Sequence, residues 1–249
     1  MRGIHYMASQ VNIELADAIL ANSDKLEYSG SHLKEIEVVE CLSNAVHAQM
    51  SKYYGSKVAP ERERYILFQE LLSPENLSHY NTELSPELWS FDDVKAVIDA
   101  SVGFQSISIS DASREALQNV QSIDANELCY LYVKLLEQCK VESDSLKKED
   151  VAWVKLRINN KIEVGGVKVL VNNDFNLRNI AIRVGGEVAI YDWELAVFGL
   201  PLRVLVEFLS FVITDDWTDD QIHEMVSYHI SELEGLQLVT FRMIGGKTS

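Results

Sequence analysis

The order of apolar and polar positions divides the chain into helical and extended stretches. From Ser31, apolar residues at Leu33, Ile36, Val39, Val46 and Met50 recur at helical spacing, with Leu42 beside them. Ser31 or His32 is placed to cap that helix, and Glu35 falls in its first turn, where a carboxylate suits the helix dipole. Residues 92–107 put Val94, Val97, Ile98 and Val102 on one face and predict a second helix. A third, strongly apolar helix follows Gly199-Leu200-Pro201 and runs through Ile213, with Arg203, Glu207 and Ser210 as its polar face. Residues 222–233 form a last amphipathic helix after an acidic break at residues 215–220. Ser73-Pro74 and Ser85-Pro86 read as helix starts, with Ser as cap and Pro at the first helical position. Residues 53–57 read as a break before a β-branched and aromatic strand, Tyr65-Ile66-Leu67-Phe68. Residues 11–21 fit a strand or a short helix, and residues 128–136 carry a helical pattern inside the polar stretch 108–150.

The clearest pattern lies in residues 168–194. Val169, Leu170 and Val171 make a short buried strand that runs into a polar loop holding Asp174, Asn176 and Asn179. Ile180, Ala181 and Ile182, then Gly185-Gly186 as a two-residue turn, then Val188, Ala189 and Ile190, predict a hairpin. Residues 161–164 and 167–171 flank Gly165-Gly166 in the same manner. A hairpin brings its ends together, so Asp192 returns close to Asp174 and Asn179. Two carboxylates and an amide oxygen at one end of a small sheet suit divalent metal and phosphate chemistry. Mg²⁺ takes oxygen ligands, usually one or two carboxylates with water and phosphate completing the shell. A further carboxylate can accept the proton of an attacking hydroxyl. The same residue types also build ordinary polar loops of Asx turns, and spacing alone leaves both readings open.

Composition narrows the partners. The 249 residues are 47% hydrophobic and 24% charged, enough for a real core in one large domain or two modest lobes. A formal charge of −16 repels nucleic acid and anionic membrane surfaces and attracts a cationic small molecule. The three cysteines, Cys41, Cys129 and Cys139, are scattered, as expected of reduced thiols in a cytoplasmic chain. Residues 1–10 do not read as a signal peptide. No apolar run approaches the roughly 18 residues that a spanning helix needs.

Two motifs carry a resemblance. Asn172-Asn173-Asp174-Phe175-Asn176-Leu177-Arg178-Asn179, followed after a Gly-Gly turn by Tyr191-Asp192-Trp193-Glu194-Leu195-Ala196, resembles the catalytic core of the aminoglycoside phosphotransferase and choline kinase family. Its nearest pattern is His-Asn-Asp-Phe-Asn-Pro-Arg-Asn and then Tyr-Asp-Trp-Glu-Leu-Ala. The resemblance implies an α+β, protein-kinase-like fold: a reduced nucleotide-lobe-like region over residues 1–72, and a mainly helical C-terminal lobe over residues 73–249. The second lobe would carry a catalytic loop at 172–179 and a metal motif at 191–194. It further implies an ATP- and Mg²⁺-dependent phosphotransferase acting on a small-molecule hydroxyl. Asp174 would be the catalytic base and Asn179 and Asp192 the metal ligands. Gln69, Glu70 and Leu71 would form the hinge that meets the adenine.

Departures from the family pattern define an alternative, a kinase-like binding or regulatory module without phosphotransfer. The loop His is Asn172, the loop Pro is Leu177, and the Asp that braces the loop from the following helix is Val204. No Gly-rich phosphate loop is present, and Lys25 is a poor match for the family's strand Lys. Glu37 and Glu40 are the candidates for the helix Glu that would pair with such a Lys. Residues 108–150 resemble the family's variable insertion, which shapes the acceptor pocket. A chance match on an unrelated α+β domain is the remaining alternative.

Overall fold

The computed structural model describes residues 9, 13–21, 30–43, 49–59, 62, 64–108, 110–120 and 167–236. Lys25, Val46, Cys129, Cys139, the pattern at 128–136 and the strand expected at 161–164 lie outside them. The chain forms two compact units, one of Met1–Ser31 with Gln121–Gly165 and one of His32–Val120 with Gly166–Ser249. In the first, α1 (Ile13–Ala21) resolves the strand-or-helix ambiguity in favour of a helix. The boundary expected at residues 72 and 73 falls inside the second unit.

At the start of the second unit, α2 (Ser31–Ser43) buries Ile36, Val38, Val39 and Leu42. The helix ends at Ser43 rather than reaching Met50. Met50 is buried in another setting: it lies beside Ile190 in a parallel β-bridge. The expected break at 53–57 is instead β1 (Tyr53–Ala59), paired antiparallel with β2 (Arg64–Gln69). A bulge between Tyr53 and Gly55, where Gly55 takes φ 151°, lets a polar, glycine-containing segment join the ladder. The two Ser-Pro signals produce single 3₁₀ turns, Pro74–Asn76 and Pro86–Leu88. The first stops at one turn because Leu77 enters β3 (Leu77–His79) and its ladder claims the backbone.

The long helix α3 (Phe91–Ile107) starts at a capping box in which Ser90 and Asp93 satisfy each other's backbone N–H groups. A short helix, α4 (Asp111–Ala116), follows. Then come β4 (Val169–Val171), β5 (Ile180–Arg183), β6 (Val188–Ile190) and β7 (Val197–Gly199). β3, β5 and β6 form one antiparallel sheet, and β4 pairs with β7 in another. The β5–β6 hairpin has the expected register, with Ile180 opposite Ile190. Its turn is three residues rather than two: Arg183 N–H reaches Glu187 O at 2.8 Å, and Gly186 takes φ 86°, a left-handed position that suits glycine. Two helices close the unit, α5 (Leu202–Val212) and α6 (Asp219–Gly235). α6 crosses α3 through Tyr228 Oη to Asp99 at 2.6 Å and Lys95 Nζ to Glu224 at 2.8 Å. Among the described residues no helix is long and apolar enough to cross a membrane.

Aromatic packing sets the position of the polar loops. Phe104 of α3 meets Trp193 edge-on at 5.0 Å and 89°, and Phe175 at 6.2 Å. Phe175 in turn meets Phe208 of α5 at 5.9 Å. Both loops of the sequence motif are thus pinned by a buried ring to the same helix. Such pairs contribute roughly 0.5–1.5 kcal/mol each beyond area burial.

Candidate functional site

The loop between β4 and β5 folds on its own polar side chains. Asp174 N–H donates to Asn172 Oδ1 at 3.1 Å, and Arg178 N–H to Asn176 Oδ1 at 2.9 Å. These Asx turns shape the loop, so the bland feature of the sequence and the functional one coexist. The Asp174 carboxylate accepts from Asn176 Nδ2 at 2.7 Å and Asn179 Nδ2 at 2.9 Å. Asn179 Nδ2 also reaches the Asp174 carbonyl at 2.9 Å. Both amide hydrogens of Asn179 therefore turn toward Asp174, which directs its Oδ1 the other way.

The hairpin delivers Asp192 to the same end. Tyr191 N–H donates to Asn179 O at 3.1 Å, adding one rung beyond β5–β6, and Tyr191 Oη donates to the Arg178 carbonyl. Asp192 itself takes φ 58°, a left-handed conformation that costs a non-glycine residue on the order of 1–3 kcal/mol. Its neighbour Trp193, wholly buried against Phe104, holds it there. Asp174, Asn179 and Asp192 are thus brought together as the hairpin pattern predicts.

Charge at the site is concentrated. Burial and the nearby Asp174 carboxylate push Asp192 up from its ordinary range, against the Glu194 backbone N–H and Arg178. Arg178 sits between Glu83 at 3.5 Å and Asp174 at 4.0 Å. Two carboxylates that repel across a gap, beside an amide oxygen directed outward, form a donor set that fits a divalent cation. Among the described residues no group of three or more His, Cys, Asp or Glu is arranged to hold a metal alone. A Mg²⁺ here would therefore rely on Asn179, Asp192 and phosphate or water oxygens.

The carboxylate that α2 presents is Glu35, not Glu37 or Glu40. Glu37 accepts from Asn119, and Glu40 accepts from Tyr53 Oη and Ser56 Oγ at 2.6 Å. Burial, with the Asp192 and Glu194 carboxylates nearby, pushes the Glu35 carboxyl up to about 7, and the Trp193 backbone N–H offsets part of the rise. Burial and Asp192 raise Glu194 too, while His32 and the buried Lys34 offset part of the rise. The sequence showed Glu35 only as a first-turn helix residue, and nothing in its spacing linked it to residue 192.

At the expected hinge, Glu70 is engaged in the fold. Its N–H donates to Lys52 O at 2.8 Å, and its carboxylate accepts from Lys52 N–H at 3.1 Å and Arg183 at 2.7 Å. Gln69 ends β2 opposite Tyr53, and the Leu71 side chain is 88% exposed.

The altered supports of the loop are filled rather than vacant. Asn172, wholly buried, donates to Asp192 O at 3.0 Å. Leu177 is likewise wholly buried, so packing anchors the loop where the family has proline. Val204 is buried and apolar, and packs with Leu205, Phe208 and Leu209 among the buried residues of α5.

No family model matches the chain, and no curated protein matches it in sequence. Solved structures do match. Aminoglycoside 2'-phosphotransferase-IIIa in complex with GDP aligns with a TM-score of 0.58 at 12% identity, over 85% of this chain and 72% of that one. The gentamicin complex of APH(2")-IIa aligns at 0.56 and 16%, over 83% and 68%. Macrolide 2'-phosphotransferase type I aligns at 0.56 and 12%, over 84% and 65%. At these identities the likeness is one of fold: this chain has the protein-kinase-like fold of the aminoglycoside and macrolide phosphotransferases.

Proposed function

We propose that this protein is a small-molecule phosphotransferase that moves the terminal phosphoryl group of ATP, with Mg²⁺, onto a hydroxyl. The reading rests on the convergence of Asp174, Asn179 and Asp192 across the two ends of the β5–β6 hairpin. The Asp174 carboxylate, fixed by two amides, orients the acceptor hydroxyl and takes its proton as the oxygen attacks phosphorus. The bond from phosphorus to the bridging oxygen breaks, and the nucleoside diphosphate leaves. A Mg²⁺ held by Asn179 Oδ1 and Asp192 would neutralise the phosphate charge. Glu70 is committed to Lys52 and Arg183, so Gln69 and Leu71 are the hinge residues that meet the base. The −16 charge favours a cationic acceptor.

The second reading is a nucleotide-binding module without transfer, favoured by the missing Gly-rich loop, because positioning and charge neutralisation carry most of phosphoryl transfer. The deciding experiment is ADP release from Mg²⁺-ATP in the presence of kanamycin, gentamicin and a macrolide, with Asp174→Asn alongside. Turnover abolished in the variant establishes the transferase. Mg²⁺-nucleotide binding without turnover establishes the module. Absence of any thermal stabilisation by millimolar Mg²⁺-ATP overturns both.

A further inference from the structure

In the sequence Arg183 is only the polar end of an apolar strand, Ile180-Ala181-Ile182. In the fold it fastens both ends of the connector that carries the chain from β2 to β3. At the start of that connector, the Glu70 carboxylate accepts from the Arg183 guanidinium at 2.7 Å and from Lys52 N–H at 3.1 Å. The Glu70 N–H donates to Lys52 O at 2.8 Å. At its end, Leu77 lies opposite Arg183 in the β3–β5 ladder, and Val184 N–H donates to Asn76 O at 3.1 Å. Arg183 also donates to Met50 O at 3.3 Å, beside the bridge of Met50 with Ile190. The pair is not a loose surface contact, since the Arg183 side chain is 19% exposed and that of Glu70 33%. Burial alone would raise the Glu70 carboxyl, but Lys52 N–H and Arg183 more than offset it and hold it below its ordinary range.

The strand that ends in Arg183 begins at the metal site. Asn179 precedes β5 and Arg183 ends it, four residues apart, or about 13 Å in an extended strand. An extended nucleoside triphosphate covers a comparable span between its phosphates and its base. From this geometry we infer that Arg183 is a positioning residue for the nucleotide. By holding Glu70 it fixes the backbone of Gln69 and Leu71, which meets the base, at a set distance from Asn179 and Asp192. The bond from guanidinium to carboxylate is charge-assisted, and so stronger than one between neutral groups. A connector closed at both ends loses less freedom when a ligand binds, so less of the binding energy goes into ordering it. This role rests on the nucleotide reading proposed above, but its test needs no turnover.

The test is calorimetric titration of the full chain, in Mg²⁺, with two probes. ATP carries base and phosphates, and tripolyphosphate carries phosphates alone. Arg183→Met keeps an unbranched apolar stem but donates nothing to Glu70. It should bind ATP about tenfold more weakly, the loss of one charge-assisted bond, and tripolyphosphate within about twofold of the wild type. Arg183→Lys keeps a cationic donor for Glu70 and should bind ATP within about threefold of the wild type. Amide hydrogen exchange at Glu70, which needs no ligand, should be about tenfold faster or more in Arg183→Met, while amides of α3 keep their rates. Unchanged ATP affinity in Arg183→Met overturns the inference, and so does equal weakening of both probes. Wild-type protection of the Glu70 amide in Arg183→Met overturns it as well. Should Arg183→Met not fold, a tenfold loss of ATP affinity in Arg183→Lys overturns it. A wild type that binds neither probe overturns the nucleotide reading and this role together. A wild type that binds ATP no better than Arg183→Met does overturns this role alone.

Discussion

The Asn172 side-chain amide donates to the backbone carbonyl of Asp192 at 3.0 Å, while its oxygen accepts the Asp174 N–H at 3.1 Å. One buried residue thus joins the two loops that carry the acidic groups. Asn172→Ala strands the part-buried Asp192 carbonyl and Asp174 N–H, and the expected loss is about 1–3 kcal/mol in unfolding free energy. Urea denaturation followed by circular dichroism measures it. An unchanged midpoint would show that the clamp does not hold the loops.

Asp192→Asn separates metal binding from folding. Asparagine tolerates the left-handed backbone at this position, and the change removes the repulsion from Asp174 and the burial penalty that raise Asp192. The variant without ligand should melt at or above the wild-type temperature, yet lose the increment that Mg²⁺-ATP confers on the wild type. Differential scanning fluorimetry with and without Mg²⁺ reads both effects. A retained increment removes Asp192 from the metal site.

Glu35 links stability to pH near neutrality. Its carboxyl is pushed from 4.5 up to about 7 in the folded protein. The folded state therefore holds its proton more tightly than the unfolded chain does. That stabilisation is complete below pH 4.5 and is lost as pH rises through about 7. Glu35→Gln keeps the size of the side chain but never ionises. It should exceed the wild type by on the order of 2 kcal/mol at pH 8 and match it at pH 4.5. Unfolding free energies at the two pH values test this, and a constant difference would refute it.

His229 acts at the acid end. It is wholly buried on α6 with neither ring nitrogen hydrogen-bonded, and burial pushes it down from 6.5 to about 4. The unfolded chain takes the proton first, so stability present above pH 6.5 is lost as pH falls toward 4. His229→Leu should remove this loss, gaining on the order of 3 kcal/mol over the wild type at pH 4 relative to the difference at pH 7. Parallel acid denaturation curves would contradict it.

The parts of the site that were legible in the sequence depend on local rules. Ile180, Ala181 and Ile182 against Val188, Ala189 and Ile190 announce a hairpin, and a hairpin necessarily joins its ends, which places Asn179 beside Asp192. Contacts made across the chain left no such trace. Glu35 looks like a solvated helix carboxylate, because periodicity reports which face a residue occupies and not which loop later packs there. The pairing of β4 with β7 was hidden for the same reason: residues 197–199 continue an apolar run, and no period separates them from the helix that follows. β1 was read as a break because Gly55 and Ser56 are poor strand formers, and its ladder with β2 overrides that preference.

The pairing of β4 with β7 encloses the hairpin of β5 with β6, like one bracket set inside another. Everything that carries Asp174, Asn179 and Asp192 therefore lies within the segment from Val169 to Gly199, and both acidic loops are bounded at each end by a paired strand. Closing such short loops costs little chain entropy, and their contacts are local in sequence. The chemical core can thus assemble as one small unit before distant parts of the chain arrive.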